Sequence, residues 1–482
     1  MNIDLELSAD QLQELGEFTV RFINSYLQDL EHLPVQPPDI TPEKLRALFD
    51  ESLPWKAQEL KQIIDEFSTR IAANSSRVGH PRFLGWIRTS PLAAAVYAEA
   101  LAAVLNQSVA VWEGAPAATE VELRVIEWIK EICGYAPSAS GILLSGGSMA
   151  NFVCLLAARS AVDPQARDRG LYGQPPFTVY LTHETHYCVP KAVDMMGIGR
   201  QHLRFIPVDS DFRMDPAALD QQIRSDLQDG FRPLAVVATL GTVNTGACDD
   251  LLSLGEVCRK HGVWLHVDGV YGGTAHLIPE KRHLAAGLEQ ADSLAFDPHK
   301  SLYMPFEAGC ALVRDPSHLP AAFAVETEYL PNSGDPAGPF HFRDYGPQLS
   351  RSFRALKIYL SLKLYGVEAF RASLSHQYRL AAELAERLQS APDFELLAPP
   401  TLGIVAFRYS PPGLQNGDVG EQQLNELNER IARALQRSPR AFLSMTRLQG
   451  RTALRACFVS HRTRSKDLEI VMDEVRRLGG EL

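Results

Sequence analysis

The sequence predicts an α/β protein with a mostly parallel central sheet. From about residue 140 to residue 315, short β-rich runs alternate with helical or loop segments, a pattern typical of βαβ units. The chain has 482 residues, of which 45% are hydrophobic and 22% charged. It can therefore bury a large core, and it is neither disordered nor collagen-like. Its length predicts about three domain-sized units.

Residues 1–92 predict an N-terminal helical layer. Ser8 and Gln11 match a capping box at the start of an amphipathic helix. Thr41, directly before Pro42, indicates the start of a second helix. Because these helices carry no obvious chemical groups, we expect them to pack on another surface, such as that of a second subunit.

Residues 93–355 predict a large domain. The apolar stretch over 91–112 is interrupted by Glu99 and is too polar to span a membrane, so it predicts a buried helix. A second capping-box pattern, Thr119 with Glu122, predicts the start of another helix. That helix is expected to end at Gly134. The predicted strands that follow lie at 177–181, 234–240, 263–267 and 293–296.

Residues 356–482 predict a small α/β C-terminal domain. Its predicted elements are helices over 356–364 and 369–388 and strands over 403–408 and 453–459. A stretch over 323–346, dense in Gly, Pro, Asp and Asn, precedes it. Loops of this length inside a compact domain are usually functional or mobile.

Charge and cysteine usage exclude several classes of function. Asp and Glu outnumber Lys and Arg by 58 to 47, a net charge of −11, which argues against nucleic acid and membrane partners. The seven cysteines stand singly, as free thiols in a reducing cytosol do. The N-terminus lacks a basic and apolar leader, so we expect a cytoplasmic protein. We expect no metal site, because no ligand cluster is visible.

A glycine turn is the first of three segments with chemical meaning. An apolar run enters Gly146-Gly147-Ser148, and a helical segment leaves it. Free N–H groups at a helix start and a small hydroxyl can cradle a phosphate. The segment lacks the G-x-G-x-x-G pattern and a following lysine, so neither a dinucleotide site nor a Walker site is indicated. Taken alone, it also fits a plain tight turn.

The second and third segments directly follow predicted strands. Asp268 ends one β-rich run, and Lys300 follows another after Asp297-Pro-His. Ligands of open α/β sheets bind at the carboxyl ends of strands, which would aim both side chains into a site. A partly desolvated lysine there is suited to Schiff-base formation. Taken singly, Asp268 also fits a loop cap, and Lys300 an ordinary surface lysine.

Together the three segments supply what pyridoxal 5′-phosphate (PLP) requires: a phosphate cradle, an acid for the pyridine nitrogen and a lysine for the aldehyde. The sequence resembles the group II pyridoxal-phosphate-dependent decarboxylases, which include aromatic-L-amino-acid, tyrosine, histidine and glutamate decarboxylases. Further matching segments are His80-Pro-Arg-Phe, Thr239-Leu-Gly-Thr-Val-Asn-Thr-Gly246 and Ser352-Phe-Arg-Ala-Leu-Lys357. The resemblance implies the aspartate-aminotransferase-like fold (PLP fold type I), a small-molecule amino-acid substrate, and a homodimer with active sites at the subunit interface.

The resemblance also implies which residues hold the cofactor. These residues are Gly147, Ser148, His186, Thr242, Asp268, His299 and Lys300. Lys300 would bind the aldehyde, and Asp268 would keep the pyridine nitrogen protonated. His186, rather than His183, would stack on the cofactor ring. The family commonly has alanine where this chain has Val270, whose bulk would lie against the opposite ring face.

The same resemblance assigns catalysis to Lys300, Tyr329, His186 and Asp268. Tyr329 lies on the loop over 323–346, which resembles the mobile catalytic loop of the family, and would protonate Cα after CO₂ leaves. A phenol can do so if the loop closes and excludes water. Related aldehyde synthases carry phenylalanine at this position, so Tyr329 favours simple decarboxylation over oxidative aldehyde formation.

The segment Trp86-Ile87-Arg88-Thr89 resembles the part of the family that lines the substrate pocket. Trp86 and Ile87 suit an aromatic substrate, which is the first choice. Arg88 stands where proline is usual, and it would either pair with an acidic substrate, the second choice, or turn to solvent. An aldehyde synthase or aminotransferase on the same fold is the alternative function. A non-catalytic homologue is disfavoured because the four catalytic residues are all present.

Overall fold

The structure is a computed structural model that describes residues 5–38, 40–325, 338–414 and 417–481, without the side chains of 417–419. Tyr329, the predicted proton donor, lies outside the described residues. Within the described ranges, no helix is both long and apolar enough to cross a membrane.

The N-terminal region consists of helices. They are α1 (Ala9–Asp29), α2 (Pro42–Leu48) and α3 (Leu60–Glu66), which a π-helical turn (Phe67–Ala72) continues. Both predicted helix starts are confirmed: Ser8 and Gln11 exchange two capping hydrogen bonds, and Thr41 Oγ1 accepts the Lys44 N–H. No residue of α1, α2 or α3 is fully buried. Their apolar side chains are therefore left without full cover by the described chain.

A seven-stranded sheet forms the centre of the described large domain. Its strands are β1 (Ser140–Leu144), β2 (Phe177–Leu181), β3 (Leu203–Phe205), β4 (Arg232–Thr239), β5 (Trp264–Asp268), β6 (Ser293–Phe296) and β7 (Gly309–Val313). The spatial order is β1-β7-β6-β5-β4-β2-β3. Neighbours among β2 to β6 pair in parallel, and β7 is antiparallel to both β1 and β6. This sheet confirms the predicted fold class.

The strand directions bring six carboxyl ends to one edge of the sheet. Since β7 is antiparallel to both β1 and β6, β1 runs in the same direction as β6. The carboxyl ends of β1, β2, β3, β4, β5 and β6 therefore meet at a single edge. The start of β7 lies there too, with Gly309 opposite Leu144. In open α/β sheets this edge is where ligands bind.

Helices cover both faces of the large sheet. The helices of this region are α4 (Ala93–Leu105), α5 (Pro116–Cys133), α6 (Gly147–Val162), α7 (Ala166–Arg169), α8 (Cys188–Met195), α9 (Pro216–Gln228), α10 (Leu251–His261), α11 (Pro298–Ser301) and α12 (His318–Phe323). On β5, His266 hydrogen-bonds to Asn151 of α6, whereas the adjacent Leu265 packs beside Gly255 of α10. Successive residues of a strand point to opposite faces, so α6 and α10 lie on opposite sides of the sheet.

Helix α5 begins earlier than predicted. Pro116 occupies its first turn, and the Thr119 hydroxyl donates to Ala115 O (2.9 Å) instead of capping the helix. Glu122 is fully buried, where it pairs with Arg351 and accepts the Leu143 N–H (3.0 Å). The capping-box prediction was wrong because partners far away in the sequence occupy the Glu122 carboxylate.

The predicted stop of α5 is confirmed. Gly134 has a φ of +66°, a left-handed conformation that glycine adopts without strain.

Helix α4 is only partly buried. Ala95 and Ala98 are buried, but Leu101 and Leu105 are exposed, and 83% of Val104 is exposed. The prediction of a buried helix is therefore wrong for the described chain, because the apolar outer side of α4 has no partner within it.

A second, antiparallel sheet forms the C-terminal region. Its strands are β8 (Phe394–Leu396), β9 (Ile404–Tyr409), β10 (Ser444–Leu448) and β11 (Arg451–Cys457), in the order β10-β11-β9-β8. Four helices accompany them: α13 (Ala355–Tyr365), α14 (Val367–Ser390), α15 (Gly417–Leu435) and α16 (Ser465–Glu481). Helices α14, α15 and α16 pack on this sheet, whereas α13 packs on α4 and α5. The domain boundaries at 92 and 355 stay predictions.

The segment before α4 contacts the C-terminal sheet. Phe83 forms a parallel bridge with Phe442, and their rings stack at 4.4 Å. The Leu84 N–H donates to Phe442 O (2.9 Å), and Leu84 O accepts the Cys457 N–H (2.7 Å). This segment therefore adds a short backbone-paired stretch to the C-terminal sheet.

Candidate active site

A cavity of about 370 Å³ lies at the edge where the parallel strands end. Its walls come from the segments that follow β1, β2, β4, β5 and β6. The lining residues that the sequence predicted are Ile87, Gly147, Ser148, His186, Asp268, His299 and Lys300. The fold thus brings together residues that are far apart in the sequence.

The turn after β1 leaves little room for side chains. Gly146 has a φ of +139°, a conformation that is essentially restricted to glycine. Helix α6 begins at Gly147, where a Cβ atom would lie 2.6 Å from Val270 Cγ2. The first N–H groups of a helix have no partners within it, and the Ser148 side chain is exposed to the cavity. These features suit an anionic group such as a phosphate.

Asp268 presents a buried carboxyl group at the end of β5. It is 5% exposed, and its Oδ1 accepts the Val270 N–H (3.2 Å). Burial raises the pKa of Asp268, and the positive charge of Lys300 opposes that shift. A cationic group brought to this carboxyl would stabilise its charged form.

Lys300 lies beside a second buried acid, Asp297. The Lys300 Nζ atom is 3.6 Å from Asp297 Oδ2, and Asp297 is 2% exposed. Burial raises the pKa of Asp297 to about 6, although Lys300 acts in the opposite direction. Asp297 Oδ1 has no hydrogen-bond partner among the described residues. Sequence reasoning missed Asp297, although it follows β6 directly, as other site residues follow their strands.

His186 lies in the cavity wall as a neutral imidazole. Burial lowers its pKa to about 4, helped by the nearby charges of Lys300 and Lys191. Its Nδ1 accepts the Cys188 N–H (3.3 Å), so the proton of the neutral ring is on Nε2. His183 instead stacks on Phe205, at 4.4 Å between ring centroids, and does not line the cavity. This placement agrees with the choice of His186.

His299, next to Lys300 in the sequence, is held in place by contacts of both its backbone carbonyl and its ring. Thr89 Oγ1 donates to His299 O (3.2 Å), and His299 Nδ1 is 2.7 Å from Ala308 O. Burial lowers the pKa of His299 to about 3, so its ring is neutral. Thr89 was predicted to bind substrate, but it is buried and acts on His299 instead.

Thr242 is turned away from the cavity. It is buried, and its hydroxyl accepts the Ala247 N–H (3.1 Å) and lies 3.0 Å from Thr245 Oγ1. The neighbouring Gly241 and Val243 line the cavity in its place. The predicted contact of Thr242 with a cofactor hydroxyl therefore stays a prediction.

Trp86 and Arg88 lie outside the cavity lining. Trp86 is exposed over 43% of its surface and packs on Phe442, with ring centroids 4.9 Å apart. The Arg88 guanidinium lies 4.9 Å from the Trp86 ring and 5.9 Å from that of Phe306. Of the four predicted substrate residues, Ile87 alone is among the lining residues.

Phe306 and Glu307 also line the cavity, although the sequence did not single them out. Both precede β7, whose start shares the edge with the carboxyl ends of the other strands. Predicting them required knowing that β7 is antiparallel. The Glu307 carboxylate accepts a hydrogen bond from Arg354 Nη2 (2.9 Å).

These residues fit the groups of PLP. A glycine turn at a helix start suits the phosphate, a buried carboxyl suits the pyridine nitrogen, and a primary amine suits the aldehyde. A family profile described as "Pyridoxal-dependent decarboxylase conserved domain" matches residues 42–410. The chain belongs to the pyridoxal-dependent decarboxylase family. It is accordingly a PLP-dependent amino-acid decarboxylase with fold type I, as the sequence predicted.

Several individual proteins align with this decarboxylase over nearly its whole length. The aromatic-L-amino-acid decarboxylase of Bacillus atrophaeus is 33% identical and covers 100% of this chain and 98% of its own length. The phenylacetaldehyde synthase of Arabidopsis thaliana is 29% identical, and the alignment covers 96% of this chain and 94% of the relative. The crystal structure of Oryza sativa TDC with PLP and tryptamine matches with a TM-score of 0.92 and 26% identity, over 99% of both chains.

Proposed function

We propose that the protein converts an aromatic L-amino acid to its amine and CO₂. The observation that carries this proposal is the apolar wall that Ile87 and Phe306 give the cavity. The Phe306 ring lies 4.7 Å from that of His299, next to Lys300 in the sequence. A flat apolar side chain would bury surface against this wall, whereas an acidic one would lose solvation there. The relationship to aromatic-L-amino-acid decarboxylases agrees with this choice.

Each buried group of the cavity has a distinct task in this reaction. Bound PLP supplies an electron sink for the bond between Cα and the carboxylate. Asp268 would keep a proton at the pyridine nitrogen, Lys300 would hold the aldehyde and release the amine, and the Gly147 turn would hold the phosphate. The neutral His186 ring, which carries its proton on Nε2, would stack on the cofactor ring. Tyr329 would return a proton to Cα.

The test is incubation of the holoenzyme with each common L-amino acid, followed by mass spectrometry of the amines. Lys300→Ala serves as the inactive control. We expect amines from one or more of phenylalanine, tyrosine and tryptophan. An amine from glutamate or aspartate alone would show that Arg88 selects an acidic substrate and that the aromatic assignment is wrong.

Oxidative aldehyde formation is a second candidate, because the Arabidopsis thaliana phenylacetaldehyde synthase is 29% identical to this chain. Tyr329 argues against it. Measuring CO₂, amine, aldehyde and H₂O₂ from a single substrate separates the two functions. Stoichiometric amine with no H₂O₂ supports decarboxylation, and aldehyde with H₂O₂ supports the synthase.

We further propose a homodimer in the cytoplasm. The exposed apolar residues on α4, Leu101, Val104 and Leu105, and the exposed Leu12 on α1 would be covered by a second copy. The seven cysteines are all unpaired and buried, which suits a reducing compartment. Light scattering checks the assembly: a mass of about twice 53.3 kDa is expected, and a monomer would contradict it.

A further inference from the structure

A chain of buried hydrogen bonds leads away from Asn151, which lines the cavity. Trp264 Nε1 donates to Ser293 Oγ (2.8 Å), Ser293 Oγ lies 2.9 Å from His266 Nδ1, and His266 Nε2 lies 2.7 Å from Asn151 Oδ1. Asn151, His266 and Ser293 are all fully buried. This series of hydrogen bonds connects the strands β5 and β6 to helix α6.

The chemistry of its two ends fixes the direction of every bond in this chain. Asn151 Nδ2 donates to Gly147 O (2.8 Å), and a carbonyl can only accept, so the amide oxygen must face His266. His266 therefore carries its proton on Nε2. Burial lowers the pKa of His266 to about 3, which keeps the ring neutral with an accepting Nδ1. Ser293 then donates to Nδ1 and accepts from the Trp264 indole, which can only donate.

The Asn151 amide connects two parts of the cavity wall to strand β5. Besides Gly147 O in the phosphate turn, its Nδ2 lies 3.7 Å from the Sγ of Cys188, at the start of the helix after His186. Its Oδ1 faces His266 of β5, two residues before Asp268. One buried side chain thus connects the phosphate turn, the segment of His186 and the strand that ends in the acid at the pyridine site.

We propose that Asn151 is a positioning residue, oriented by His266 and Ser293, that fixes the spacing between Asp268 and the Gly147 turn. The phosphate and the pyridine nitrogen are two ends of one small molecule, so their two sites must keep one separation. Those sites lie on different elements, the end of β5 and the start of α6. Asn151 links them through its bonds to Gly147 O and to His266, which lies two residues before Asp268 on β5. The hydrogen bond from Ser293 to His266 holds the Asn151 amide in that orientation.

The test measures PLP release from the holoenzyme after rapid dilution, followed by the visible absorbance of the bound cofactor. The variants are Asn151→Ala, Ser293→Ala and the double substitution. We expect Asn151→Ala to release PLP about tenfold faster, the scale of one lost hydrogen bond. Ser293→Ala should have a smaller effect, and that effect should vanish in the Asn151→Ala background, because Ser293 acts only through Asn151.

Thr178→Val is the matched control. Thr178 is also fully buried in the large sheet, but its hydroxyl bonds to Tyr180 (2.9 Å), away from the cavity. PLP release at the wild-type rate is expected in this variant. Equal acceleration in Thr178→Val and Asn151→Ala would mean general loosening of the sheet and would overturn the proposal.

Two further results would also overturn it. One is a release rate within twofold of wild type in Asn151→Ala, and the other is an effect of Ser293→Ala that is the same in both backgrounds. If Asn151→Ala does not fold, the isosteric Asn151→Asp takes its place, since a carboxylate cannot donate to Gly147 O. PLP release needs no amino acid, so the result is independent of the proposed substrate.

Discussion

Replacing Gly147 by alanine is expected to weaken cofactor binding through a steric clash that a second substitution relieves. A Cβ atom at this position would lie 2.6 Å from Val270 Cγ2, 2.8 Å from Val270 Cγ1 and 3.0 Å from Asp297 Oδ2. These distances are shorter than van der Waals contact, so either Val270 or the first turn of α6 must move. The first turn of α6 carries the N–H groups that face the phosphate site, so a shift there is a shift of the site.

The expected size follows from the energy of overpacking. Forcing an extra methyl group into a packed site costs about 1–3 kcal/mol. If that cost falls on the phosphate turn, the dissociation constant of PLP rises by about 5-fold to 150-fold. Val270→Ala removes the two methyl groups that cause the closest contacts and leaves only the 3.0 Å approach to Asp297.

The assay is titration of the apo-protein with PLP in wild type, Gly147→Ala, Val270→Ala and the double variant. We expect the double variant to recover most of the affinity that Gly147→Ala loses. The reasoning is refuted if the double variant binds PLP no better than Gly147→Ala, or if Gly147→Ala binds as tightly as wild type.

Three further predictions concern the same cavity. Lys300→Ala should abolish the visible absorption band of the lysine-bound cofactor, and a persisting band would contradict the role of Lys300. Burial holds the pKa of Asp297 near 6, against 3.8 for an ordinary aspartate, so its contribution to stability is full below about pH 4 and is lost as the pH rises through 6. Between pH 4 and 7, the free energy of unfolding of apo Asp297→Asn should therefore rise relative to that of the wild-type apo-protein, by at most about 3 kcal/mol. Thermal unfolding measures this difference, and a difference that does not vary with pH would contradict the prediction. Arg88→Ala should leave kcat/KM for aromatic substrates within about threefold, because the guanidinium lies outside the cavity lining; a larger loss would place Arg88 at the substrate.

Local features of the fold were predictable because their causes are local. The helix starts at Ser8 and Thr41 depend on hydrogen bonds across three residues, and both were confirmed. Thr119 with Glu122 shows the same pattern, yet the fold uses it differently, since Arg351 takes the Glu122 carboxylate from 229 residues away. A single sequence does not reveal such distant partners.

The site residues likewise fall into two groups, those that a local sequence signal predicts and those that depend on contacts distant in the sequence. Asp268 and Lys300 were predictable because each follows a strand, and the carboxyl ends of parallel strands share an edge. Asp297 carried the same signal and was overlooked. The direction of Trp86 was not predictable, because packing on Phe442 of the C-terminal region turns its side chain away from the cavity. Phe306 depended on the antiparallel direction of β7.

Residues 83–86 pair with the C-terminal sheet, so the floor and the side wall of the active site are supported by different parts of the protein. The floor of the cavity, where the cofactor would bind, belongs to the large sheet, whereas Ile87 in its side wall follows a segment that hydrogen-bonds to Phe442 and Cys457. Substitutions among the C-terminal strands can therefore reshape the wall and leave the floor intact. Substrate preference in such an enzyme can drift through residues that never approach the reacting atoms, while the chemistry stays constant.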